Sequence, residues 1–139
     1  MMKEFSQEEL KSRTMHRVAY VLHGYWEEGR GAHTRLFDTL IPDFYIETGE
    51  STKGRGHREH VVPCVYIRNL ANDMYSEGAS IEDVAAMLER LLAIVHITKE
   101  EQALMDHQLG LKMTMPEDWC PKTGDVNARL VMAGIEVKP

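Results

Sequence analysis

The run Leu92-Ala-Ile-Val-His-Ile97 constrains this chain most. It is apolar and β-branched, which predicts a buried strand. A strand with no water beside it needs neighbours to satisfy its backbone N–H and C=O groups, so a sheet is implied. The run ends abruptly at Thr98, which with Glu101 makes a capping box and opens a helix.

The rest of the chain is mostly helical in pattern. Ser6 and Glu9 form another capping box, ahead of an apolar rhythm through Leu10, Val18, Val21, Leu22 and Tyr25. A long first helix is expected over 7–28, stopped by Gly29-Arg-Gly31. Residues 34–50 predict a short helical turn and a strand from Phe44 to Glu47, broken by Gly49. A flexible basic loop follows over 51–56, then a short strand ending at Pro63. Residues 64–77 have helical spacing, with Val65, Leu70 and Met74 on one face and Gly78 as terminator. Ser80 begins a helix with acids in its first turn, where the macrodipole favours them. The helix after Thr98 closes at Gly110. An irregular arm and a last short helix, from an Asp125 cap to Gly134, occupy 113–139. The expected fold is α+β, mostly helical, in a single domain over 1–139.

A chain of 139 residues can bury a real core. Its N-terminus has no signal-like apolar run and no stretch reaches a membrane span, so a cytoplasmic protein without membrane contact is expected. Two cysteines, Cys64 and Cys120, do not make a disulfide-stapled scaffold. The net charge of −6 excludes a global positive field that would draw the chain onto nucleic acid. Charge is unevenly spread. Lys53, Arg55, Arg58 and Arg68 face Glu59 alone within 51–68, while residues 71–107 hold an acidic excess. The basic strip suits a phosphate backbone, and the acidic body suits a basic protein surface. Phosphate loops, dinucleotide fingerprints and nucleophile elbows are missing from the sequence.

The chemistry-bearing stretch is His57-Arg-Glu-His-Val-Val-Pro-Cys64. A histidine can take a proton from water near neutral pH while an adjacent carboxylate holds a divalent cation. Neighbours on a strand point to opposite faces. Glu59 and His60 therefore converge on one phosphate only where the strand twists or ends.

The segment Arg58-Glu-His-Val-Val-Pro63 resembles the first-strand motif of the HNH endonucleases, the His-Me finger nucleases. The resemblance implies a small ββα-metal core over 57–112, with His60 as general base and Glu59 as metal ligand. Residues 92–97 would be the second strand and 98–112 the helix. It also implies catalytic work for His57, further ligation by Glu101 and His107, and Mg, Mn or Zn as cofactor. The substrate would be nucleic acid, held on Lys53, Arg55, Arg58 and Arg68. The chain departs from the family in its long inter-strand connection. Its helix also lacks the usual His or Asn at its start, leaving Glu100, Glu101, Asp106 and His107 as donors.

Other readings stay open. His57, His60, Cys64 and Cys120 have the residue types of a tetrahedral zinc site that would dock the arm. The plainest alternative is two solvent-facing histidines beside a salt-bridged Glu59. Function divides accordingly: a metal-dependent nuclease, or a non-catalytic HNH-like protein. The latter would come from a phage or mobile element and would bind and inhibit a host defence or nucleic-acid-binding complex.

Overall fold

The structure, a computed structural model, describes residues 4–138. Its elements are helices α1 (Gln7–Glu27), α2 (Arg35–Leu40), α3 (Cys64–Ser76), α4 (Ile81–Leu91), α5 (Lys99–Ala103) and α6 (Ala128–Met132). The strands are β1 (Glu47–Ser51), β2 (His57–His60), β3 (Ile94–Ile97) and β4 (Val137–Lys138). The fold is α+β and mostly helical. Among the described residues no helix is long and apolar enough to cross a membrane. The chain gathers into two compact units, residues 1–45 with 68–90, and residues 46–67 with 91–139.

The first unit is helical. The capping box forms as expected: the Glu9 N–H donates to Ser6 Oγ at 3.1 Å and the Ser6 N–H to Glu9 Oε1 at 3.1 Å. On α1, Met15, Val18, Ala19 and Leu22 are buried, one stripe at helical spacing. Phe37, Ile41, Val84, Ala85 and Leu88 add to the buried set. In the part of α3 that belongs to this unit, Ala71 and Tyr75 are buried, four residues apart. Val65, Leu70 and Met74, expected to form that face, are only half-buried. Tyr75 anchors its helix to α1 by donating its hydroxyl to the Ala19 carbonyl at 2.6 Å. Gly78, at φ 92°, takes the left-handed conformation that ends α3. Ser80 and Asp83 then cap α4 reciprocally, at 3.0 and 3.1 Å.

The second unit is built on a four-stranded sheet in the order β2-β3-β1-β4. The expected buried strand is central. β3 pairs antiparallel with β2, His57 opposite Ile97 through His60 opposite Ile94, and parallel with β1. Ile94, Val95 and Ile97 are fully buried. Four expectations need correction. The strand placed at 44–47 is a 3₁₀ turn over Asp43–Tyr45, and β1 begins at Glu47 and runs through Gly49. Gly49 does not break the strand but admits a neighbour: a Cβ there would sit 2.6 Å from the Lys138 carbonyl oxygen of β4. The helix after Thr98 stops at Ala103 and continues as a π-turn over Leu104–Gln108. There the Leu109 N–H reaches back to the Leu104 carbonyl at 3.0 Å. The last helix starts at Ala128, later than an Asp125 cap predicts, and the pairing of β4 with β1 had no signal in the sequence.

Candidate functional site

β2 is an edge strand, and its register with β3 is regular: Glu59 lies opposite Val95 and His60 opposite Ile94. Regular alternation puts His57 and Glu59 on one face and Arg58 and His60 on the other. The convergence of Glu59 and His60 that the nuclease chemistry requires is therefore not made within the strand.

The inward face holds a polar knot. Glu59 is 8% exposed. One carboxylate oxygen, Oε2, lies 2.8 Å from His57 Nε2. The other, Oε1, accepts from Arg129 at 3.0 Å. Arg129 is itself 1% exposed, a burial that a guanidinium tolerates only when paired. Three further hydrogen bonds go to backbone: Nε to the Leu111 carbonyl at 2.8 Å, and one terminal nitrogen to the carbonyls of His60 at 3.0 Å and Val61 at 3.2 Å. One side chain of α6 thus closes the carboxylate and satisfies carbonyls just past the last pairing of β2.

Glu101 is likewise committed. Its Oε1 accepts from the Thr98 N–H at 2.9 Å and its Oε2 from the Ser51 hydroxyl at 2.9 Å, with 7% of the residue exposed. His107 is exposed on the π-turn. Cys64 is half-buried and Cys120 exposed, and among the described residues neither is in a disulfide. Among the described residues no three His, Cys, Asp or Glu side chains gather to hold a metal ion. Neither the set Glu59, Glu101, His107 nor the set His57, His60, Cys64, Cys120 is brought together. Both carboxylates in the first set have their oxygens engaged.

The basic residues are divided too. Lys53 and Arg55 are exposed on the turn before β2, Arg55 Nε lying 4.0 Å from Glu50, and Arg58 is half-buried. Arg68 belongs to the other unit, where it donates to the Ala32 carbonyl and to Asn69 Oδ1, each at 3.3 Å. His96, on β3, lies 3.4 Å from Glu47. In the arm the Trp119 ring packs edge-on against Tyr66 at 5.5 Å, and its indole N–H donates to the Asp125 carbonyl at 2.8 Å. Burial, and then the nearby Cys120, push the Tyr66 hydroxyl pKa up.

The acidic stretch lies on α3, α4 and the turn joining them. Asp73, Glu77, Glu82, Asp83 and Glu89 are all exposed. Asp83 caps α4. Among the described residues, Asp73, Glu77, Glu82 and Glu89 form no ion pair.

Sequence reasoning missed Arg129. Its signal is a lone arginine inside Val126-Asn-Ala-Arg-Leu-Val-Met132, where the spacing puts it beside apolar residues. No family model, curated protein or solved structure matches this chain.

Proposed function

We propose that this chain is a non-catalytic, HNH-like interaction protein that docks a basic, nucleic-acid-binding partner through the carboxylates of α3 and α4. The observation that carries it is the set of four exposed acids, Asp73, Glu77, Glu82 and Glu89, which form no ion pair among the described residues. Like charges without counter-ions repel and bring folding no gain. A basic surface relieves that repulsion and is steered to it. The polar knot supports the non-catalytic part. With Arg129 and His57 on its two oxygens, Glu59 has a structural role that accounts for the motif without chemistry.

A second reading keeps phosphodiester hydrolysis. It is favoured by the antiparallel pair β2 and β3 followed directly by α5, the strand-strand-helix order of the HNH resemblance. His57, with 30% of its side chain exposed and its ring held by Glu59, would then be an oriented base, or His60 would act on the other face. A metal-dependent version needs Glu59 to leave Arg129.

One experiment separates them. Binding of a labelled arginine-rich peptide is measured between about 0.05 and 0.3 M salt, across which screening tightens. Beside it, plasmid cleavage is assayed with Mg or Mn. The expected result is salt-sensitive binding, lost when Asp73, Glu77, Glu82 and Glu89 are all changed to Lys, and no cleavage. Binding that survives charge reversal sinks the docking reading. Cleavage abolished by His57→Ala or His60→Ala installs the hydrolytic one.

A further inference from the structure

A different surface, on α1, has the makings of an anion site. Ser12, Arg13, His16 and Arg17 line an open pocket of about 480 Å³, within the range of small-molecule sites. Positions 13, 16 and 17 are three and four residues apart, so their side chains share one face. Two of them are permanent cations. Arginines at i and i+4 repel one another, and among the described residues Arg17 is in no ion pair that would offset this.

The donors are partly set in place. The Arg13 guanidinium carbon lies 4.4 Å from the centroid of the Phe5 ring, a stacking contact that orients its planar fork. His16 Nδ1 lies 2.8 Å from the Ser12 carbonyl. A carbonyl only accepts, so Nδ1 carries the hydrogen and Nε2 is the ring nitrogen not used within the helix. Glu9 feels the charge of Arg13, and its Oε1 already accepts from the Ser6 N–H.

We propose that this pocket binds a small phosphorylated molecule, its phosphate bridging the guanidiniums of Arg13 and Arg17 with His16 beside it. Arginine forks match phosphate oxygens in pairs. A long polyanion is disfavoured by the net charge of −6, whereas a small ligand meets mainly the local field.

The test titrates the full chain at constant ionic strength with inorganic phosphate and, separately, with adenosine 5′-monophosphate, reading the His16 ring protons by NMR. Saturable shifts are expected, with the monoester binding more tightly than phosphate. Arg13→Gln and Arg17→Gln should each weaken binding by about tenfold, the loss of one charge-assisted pair. Both positions are exposed, and unchanged helical circular dichroism establishes that the variants fold. Should either lose helix, Arg17→Lys, which keeps the charge and removes the fork, replaces it and is expected to bind less tightly than wild type. Shifts that never saturate, or affinity indifferent to these changes, would overturn the site. Equal affinity for phosphate and the monoester would overturn the organic ligand.

Discussion

Replacing Arg129 by Met tests the polar knot at its centre. Methionine keeps much of the stem's volume but removes every donor, so Glu59 is left buried without its cation, and the Leu111, His60 and Val61 carbonyls lose a partner. Breaking a buried ion pair from one side costs about 3–5 kcal/mol. That is a large share of the roughly 5–15 kcal/mol that holds a domain together. With a urea m-value of about 1–3 kcal/mol/M, the unfolding midpoint should fall by more than about 1 M. Glu59→Gln should also destabilise, because Arg129 then stays buried opposite a neutral amide. The double variant should cost less than the two single ones together, with a coupling of about 0.5–3 kcal/mol for residues in direct contact. The assay is urea unfolding followed by far-ultraviolet circular dichroism on all four proteins. A midpoint shift in Arg129→Met below about 0.3 M, worth under about 1 kcal/mol at these slopes, would refute the knot. So would simple additivity of the two changes.

Alkaline pH probes the first unit. Burial, and then the Glu82 charge, push the Tyr75 hydroxyl up to about 12. The unfolded chain ionises near pH 10, so the folded state holds this proton more tightly. Its contribution is full below about pH 10 and is lost as pH rises through about 12. Wild type should therefore lose stability over that window more steeply than Tyr75→Phe, as read by urea midpoints at stepped pH; parallel curves would contradict this. In the arm, a Cβ at Gly124 would run into the Trp119 indole nitrogen and lie 2.7 Å from the Cys120 carbonyl. Gly124→Ala should cost about 1–3 kcal/mol of overpacking and move the Trp119 indole N–H resonance, whose hydrogen bond to Asp125 cannot persist unchanged. An unmoved resonance would show that the loop yields at no cost.

Much of the local structure was legible because its causes are local. The capping boxes at Ser6 and Thr98 start helices where the pattern puts them, since each needs only residues three apart. Gly78 and Gly110 end their segments at positive φ, a conformation that costs glycine little. The apolar run before Thr98 lies at the middle of the sheet. The candidate site was legible only as a list of residue types. The motif at 57–64 advertised histidines and a carboxylate, but which atoms meet depends on strand register and on a residue 70 positions away.

The sequence by itself determined an α+β chain, mostly helical, with a buried strand over 92–97 and an acidic excess over 71–107, because periodicity, capping and charge are properties of neighbours along the chain. Tertiary structure alone decided the extra strand pairing of β4, the division of the basic strip between two units and the closing of Glu59 by Arg129. Those outcomes rest on contacts between segments far apart in sequence, where a buried charge takes whichever partner the fold brings within 3 Å.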